Sequence, residues 1–152
     1  KGKAEEIVEL LPVAEAESKT TVNGRKYKTS KISLEECERL TEKLEIIMHR
    51  EKAYTNPDLK VADLAAMIGT SAHTLSYLFN QHLNRNYYDY VNDYRIAEFK
   101  HLIAEDEYSK YTLSALAELC GFSSRASFFR YFKKATGITP SEYIRSIGKT
   151  NE

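Results

Sequence analysis

Apolar residues recur at helical spacing along this chain from Ser33 onward, and part of the pattern occurs twice. Leu64-Ala65 matches Leu116-Ala117, and Met67-Ile68-Gly69 matches Leu119-Cys120-Gly121. After one extra residue in the second turn, Leu75 and Leu78-Phe79 match Phe128 and Tyr131-Phe132; further on, Tyr90-Val91 matches Tyr143-Ile144. Residues 60–85 and 113–138 are therefore weak copies of one unit: a short helix, a glycine-containing turn and a second helix. Two such units about fifty residues apart point to a molecule that touches something periodic.

The stripes place the elements. Ser33 with Glu36 makes a capping box. Leu34, Cys37, Leu40 or Thr41, Leu44, Ile47 and Met48 then line one face of a helix expected to end near Arg50, before Asn56-Pro57. Residues 60–68 form the first short helix, with Val61, Leu64, Ala65 and Ile68 inward, and Gly69-Thr70-Ser71 turns. A second helix, from about Ala72 to His82, buries Leu75, Leu78 and Phe79 and leaves His73, Ser76, Tyr77 and Asn80 outward. A longer helix over about 86–104 offers Tyr87, Tyr90, Val91, Tyr94, Ile96, Phe99, Leu102 and Ile103 for packing.

Thr112 starts the next short helix, with Leu113, Leu116, Ala117 and Cys120 inward, and Gly121-Phe122-Ser123 turns. Ser124 caps a helix to about Thr136 that turns Phe128, Tyr131, Phe132 and Ala135 inward and Arg125, Ser127, Phe129, Arg130 and Lys133 outward. Gly137 stops it. Thr139-Pro140-Ser141-Glu142 combines an N-cap, a first-turn proline and a box partner, and starts the last helix. Residues 1–32 show no sustained period and read as a tail, with a short hairpin over Val22–Lys28 around Asn23-Gly24. The expected class is all-α: two tandem helix-turn-helix subdomains joined by a long linker helix. The expected division is a tail over 1–32, a first subdomain over 33–85, the linker helix over 86–105 and a second subdomain over 106–148.

Charge changes the picture locally. The formal net charge is zero, which at first argues against a nucleic-acid partner. From Gly121 to Lys149, however, six basic residues (Arg125, Arg130, Lys133, Lys134, Arg145, Lys149) face one acid, Glu142, a local excess of five. Between Lys60 and Arg85 the excess is one. A basic patch on a neutral protein can track phosphates with modest non-specific affinity; the ordinary alternative is a solvated helix face. Cys37 and Cys120 both lie in apolar helical patterns and read as reduced core residues. No apolar run approaches the ~18 residues of a membrane span, and no signal-peptide pattern opens the chain. A cytoplasmic chain is expected, anchored to a membrane only through some preceding part. Opening on Lys1 rather than Met adds the expectation of a piece of a longer protein.

A connecting helix of ~20 residues spans about 30 Å, and successive major grooves on one side of B-DNA recur every ~34 Å. A stiff linker of that length suits two second helices in adjacent grooves, where outward side chains would meet base edges.

At this point the residues reach a family. Gly121-Phe122-Ser123-Ser124-(x)3-Phe128-(x)-Arg130-(x)-Phe132-Lys133-Lys134-(x)2-Gly137-(x)-Thr139-Pro140-Ser141-(x)-Tyr143 resembles the C-terminal signature of the AraC/XylS family of bacterial transcription regulators. Leu113 to Leu119 and Leu64 to Gly69 fit the short helices of its two reading heads. Tyr87 to Ile103, with Tyr94-Arg95 followed by Ala97, is similar to its linker helix, and the likeness covers about residues 58–146. The resemblance implies seven main helices, sequence-specific binding to double-stranded DNA in two successive major grooves, and control of transcription initiation. It implies no cofactor and no metal.

Carried over by position, the first reading helix would present Ala72, His73, Ser76 and Tyr77, with Asn80 one turn on. The second would present Arg125, Ala126, Ser127, Phe129 and Arg130, with Lys133 and Lys134 as phosphate contacts. Each has an ordinary reading too: solvated arginines, a surface histidine, a tyrosine covering an apolar edge, polar residues of any exposed helix. Arginine binds guanine O6 and N7 in a bidentate way, and the Ala126 methyl suits a thymine or serves as a spacer. Three departures stand out. Ala72 holds a place that is often basic, so the first head should bind more weakly. Phe129 holds one that is often polar or small, and would touch a thymine methyl or an apolar partner such as RNA polymerase. Lys60 replaces the usual capping hydroxyl or acid, which should loosen the first short helix.

An enzyme is not expected: no glycine-rich phosphate loop, Ser-His-Asp spacing or metal-ligand cluster is present, and His49, His73, His82 and His101 share no ligand spacing with either cysteine. The alternative is a protein-interaction module docking through Tyr87, Tyr88, Tyr90 and Tyr94, which otherwise pack between the subdomains. Family members often carry an N-terminal sensor, and residues 1–32 read as the linker from such a part. The helix over 33–50 either braces the first head or pairs with another chain, so a homodimer through residues 1–50 or through the preceding part is a further expectation. The operator, the signal and the choice between activation and repression are not legible.

Overall fold

In a computed structural model of the chain, residues 32–149 are described. The chain divides into two units, Lys1–Arg39 and Leu40–Glu152; of the first, residues 32–39 are described. The expected tail and its Val22–Lys28 hairpin lie outside the described residues. Among those residues there are seven α-helices and no strand: α1 (Leu34–Ile46), α2 (Val61–Met67), α3 (Ala72–Tyr77), α4 (Tyr87–Ile103), α5 (Leu113–Cys120), α6 (Arg125–Thr136) and α7 (Pro140–Ser146). α2 and α3 form one helix-turn-helix, α5 and α6 the other, and α4 joins them.

The helices begin where short polar side chains satisfy orphan backbone donors. Ser33, Ser71, Asn86, Thr112, Ser124 and Thr139 each accept an N–H three residues on, at 2.8–3.1 Å. At α7 the box is reciprocal, with the Thr139 N–H donating to Glu142 Oε1 at 2.9 Å and Pro140 filling the first helical position. The lysine at the start of α2 is offset. Its ammonium cannot accept, but its backbone N–H donates to the Asp63 carboxylate at 3.0 Å, so half a box survives.

The duplication reaches individual hydrogen bonds. Gly69 and Gly121 take positive φ, 78° and 108°. The next N–H then reaches back to the matching alanine carbonyl: Thr70 to Ala65 at 2.9 Å and Phe122 to Ala117 at 3.0 Å. This bond closes the short helix and turns the chain toward the second one. At the far side Ser71 pairs with Thr74 and Ser124 with Ser127, hydroxyl to hydroxyl, at 3.0 and 3.1 Å.

The second head has its own core. Ile96, Phe99, Leu102 and Ile103 of α4 pack with Leu113, Leu116, Ala117, Cys120, Phe122, Phe128, Phe132 and Ile144. Phe99 meets Phe128 and Phe132 with ring centroids 4.9 and 5.5 Å apart. In the first head Leu64, Ala65, Ile68, Leu75, Leu78 and Phe79 are buried. The tyrosines of α4 are mostly taken up by packing: Phe79 contacts Tyr87 and Tyr90, and Tyr94 lies between Tyr54 and His49. Only Tyr88 of the four is largely exposed, which removes the docking face proposed for them together. Both cysteines are buried, and burial pushes the Cys120 thiol up to about 12.

Four details depart from the periodic reading. The helix from Ala72 does not stay α-helical to His82; Leu78–His82 form a π-helical turn, as do Ile47–Glu51 after α1. Ala135, expected inward, is exposed: at the last turn of α6 the core is closed by Pro140 and Ile144 of α7, and nothing covers the small side chain. Leu34, at the first position of α1, is 65% exposed. Arg95 is buried, where a charge on a long helix would be placed outward. Its Nε donates to the Tyr54 carbonyl at 2.7 Å, Nη2 to the Asn56 carbonyl at 3.0 Å and Nη1 to Asn92 Oδ1 at 2.8 Å. Burial draws its pKa down.

Gly121 lies against this network. A Cβ there would overlap the Tyr54 carbonyl oxygen and lie 2.8 Å from Arg95 Nε and 2.9 Å from Thr55 Cα. Around Gly137, also at positive φ, a Cβ would meet nothing within 4 Å. Gly121→Ala is therefore expected to cost about 3 kcal/mol or more, strain and overlap combined, and Gly137→Ala about 1–2 kcal/mol. Chemical denaturation checks both; equal losses would contradict this packing.

Candidate functional site

α3 and α6 carry the side chains singled out from the sequence. On α3 and its continuing turn, His73 and Asn80 are exposed, while Ala72, Ser76 and Tyr77 are half-buried. Asn80 sits within the π-helical turn. On α6, Arg125, Ala126, Arg130, Lys133 and Lys134 are exposed, and Ser127 and Phe129 are half-buried. Ala126, Arg130 and Lys133 share one helical face, flanked by Arg125 and Phe129.

Four of these side chains already have partners. The Ser127 hydroxyl donates to the Ser124 carbonyl at 3.0 Å and lies 3.1 Å from the Ser124 hydroxyl, so it belongs to the helix start. The Arg125 guanidinium lies over the Phe129 ring, 4.6 Å from its centroid, and that ring packs edge-on against buried Phe128 at 5.6 Å. Phe129 is thus a shelf between the core and an arginine, and not a free apolar knob. The Lys134 ammonium meets Asp89 Oδ1 of α4 at 3.2 Å. Among the described residues Arg125, Arg130 and Lys133 make no ion pair, although Lys133 lies near enough to Glu142 to help hold that carboxylate's pKa down.

Sequence reasoning missed the groups behind α6. Tyr131, taken as an inward packing residue, donates its hydroxyl to Asp93 Oδ1 at 2.7 Å. Burial and that carboxylate push the phenol above its ordinary range. Asp93 also pairs with Arg85. The spacing of Asp89 and Asp93, one helical turn apart, was visible; their partners on α6 are about forty residues away and were not. Among the described residues no group of three or more His, Cys, Asp or Glu is placed to hold a metal, and no helix is long and apolar enough to cross a membrane.

Against this geometry, comparisons with known proteins agree. A family model described as a helix-turn-helix domain matches residues 64–146. An uncharacterised response regulatory protein of Staphylococcus epidermidis is 32% identical over 97 residues, covering 64% of this chain and 37% of that one. Among solved structures, the C-terminal domain of the two-component response regulator yesN from Fusobacterium nucleatum superposes with a TM-score of 0.58 at 26% identity, covering 68% of this chain and 95% of that one. A transcriptional regulator with an AraC-type DNA-binding domain from Chromobacterium violaceum gives a TM-score of 0.60 at 22% identity, covering 76% of this chain and 97% of that one. The chain spans between 11 and 37% of the length of the curated relatives it matches.

The shelf under Arg125 is directly testable. Its δ-methylene protons are expected upfield of ordinary arginine values by the ring current, and Phe129→Leu should return them, with a stability loss under about 1.5 kcal/mol. Unshifted protons in the parent protein would mean that the guanidinium is not stacked.

Proposed function

The chain belongs to the AraC-type helix-turn-helix family of DNA-binding transcription regulators, and on that footing we propose how it meets DNA and what it works within. α3 and α6 enter successive major grooves on one face of the duplex, with α4 as the spacer. At 17 residues, α4 is about 26 Å long, of the same order as the ~34 Å groove repeat. The observation that carries this reading is the double construction of one turn and cap, each ending in a helix whose outer face is polar or basic.

Arg125 and Arg130 are the base readers of the second head, most naturally at guanines. Ala126 and the exposed edge of Phe129 meet thymine methyls, and Lys133 contacts phosphate. Lys134 contacts phosphate only by leaving Asp89. Ser127 contributes through the cap, which orients the start of α6. In the first head His73, Ser76, Tyr77 and Asn80 provide polar contacts and Ala72 a close approach. With a local excess of one positive charge between Lys60 and Arg85 against five between Gly121 and Lys149, the second head supplies more of the electrostatic affinity.

Residues 33–85 and 106–148 act as the two heads, 86–105 as the linker, and 1–32 as the connection to a sensor part. Relatives named as response regulators support a role as the output portion of a larger protein. RNA polymerase is the partner at a promoter, the working compartment is the cytoplasm, and dimerisation runs through residues 1–50 or the sensor.

Selection of duplexes from a random pool tests the reading. A two-block motif with centres about one helical turn apart is expected, with affinity falling linearly in log–log form with salt. A salt-independent interaction, or no enriched sequence, would contradict it. On the selected duplex Arg130→Ala should cost roughly 1–3 kcal/mol and relax one position; equal loss on every sequence would demote Arg130 to a phosphate contact.

A further inference from the structure

We propose that Asp89 and Asp93, with Tyr131, fix the angle between the two reading heads and thereby set which spacing of DNA blocks the chain accepts. This rests on the two-groove reading above.

α6 is attached to α4 at two places. One is apolar: Phe99, Phe128 and Phe132, each fully buried, with ring centroids 4.9–5.8 Å apart. Apolar contact is non-directional, so this cluster holds α6 close to α4 and works as a pivot. The other attachment is polar and lies toward the first head. The Tyr131 hydroxyl donates to Asp93 Oδ1 at 2.7 Å and sits 3.3 Å from the Asp89 carbonyl. Lys134 reaches Asp89 Oδ1 at 3.2 Å and lies over the Tyr131 ring, 5.4 Å from its centroid.

The two attachments are well separated. Asp93 and Asp89 precede Phe99 by six and ten residues on the same helix, about 9 and 15 Å along its axis. On α6 the same groups lie close together, with Tyr131 next to Phe132, so it is their separation along α4 that resists a swing of α6 about the Phe99 cluster.

The polar attachment also faces the other head. Asp93 pairs with Arg85, in the segment between the π-helical turn that follows α3 and the start of α4. Asp89 is itself held: its N–H donates to Asn86 Oδ1 at 2.8 Å, and Asn86 Nδ2 donates to Asp89 Oδ2 at 3.3 Å. One acidic turn of α4 therefore takes a partner from the end of the first head and two from the reading helix of the second. Exposed ion pairs contribute little to stability, whereas a hydroxyl donating to a half-buried carboxylate is short and directional. The consequence of this tie is angular, and the core around Phe99 keeps the fold without it.

Tyr131→Phe removes the donor of this tie and Asp93→Leu its acceptor, each with side-chain size nearly kept. The whole chain first selects its motif from a random duplex pool, and the motif is then rebuilt with the block separation changed one base pair at a time, each step turning the blocks by about 35°. The unaltered protein is expected to lose about tenfold or more in affinity for a one-base-pair change. The two variants should cut that penalty to about threefold or less, with affinity at the preferred spacing changed by less than about threefold. A spacing profile identical to that of the unaltered protein would overturn the proposal, and so would a uniform loss at every spacing, the mark of a merely structural role. Recovery of no motif by the unaltered chain would bring down the DNA reading itself, and that failure comes before any variant is made.

Discussion

A single buried guanidinium ties the second reading head to the chain that precedes the first. Arg95 rises from the middle of α4, caps the carbonyls of Tyr54 and Asn56 and holds Asn92. The Gly121 turn is packed so closely against it that no side chain fits. A buried cation is costly unless its donors are satisfied, and here two of the three partners are carbonyl oxygens from the segment between α1 and α2. That segment, the linker helix and the turn of the second head therefore have to come together at once. The stacked Tyr54 and Tyr94 rings, 5.7 Å apart, close the same joint.

Around that joint the molecule uses one local device twice. A positive-φ glycine, a backward hydrogen bond to an alanine and a serine cap turn a short helix into an exposed one. The copies diverge where they face solvent. The first continues from α-helix into a π-helical turn; the second stays α-helical to Thr136 and gathers the arginines and lysines. Placing charge on one copy gives a neutral protein a strongly sided surface, which suits a partner that is itself a polyanion.

How much of this the sequence made legible follows from the range of each interaction. Helix starts at Ser33, Thr112, Ser124 and Thr139, the stop at Gly137, and the stripes of Leu64, Leu75, Leu116, Phe128 and Phe132 depend on neighbours three or four residues away, and they were read correctly. The buried Arg95 was not, because its partners lie about forty residues back. The same distance hid the roles of Asp89, Asp93 and Tyr131. Ala135 was misplaced because periodicity cannot tell that α7 covers the core there; Asn80 is exposed as expected, but the π-helical turn that carries it has no periodic signature. Of the candidate site, the basic face of α6 was legible from composition; that Phe129 carries Arg125, and that Ser127 and Lys134 are already engaged, was not.

The central claim is that two probes on one stiff helix meet the same side of a duplex. Hydroxyl-radical footprinting of the chain on its selected duplex measures this most directly. The account predicts two protected backbone windows separated by about one helical turn, both on one face. A single continuous window, or windows on opposite faces, would contradict it.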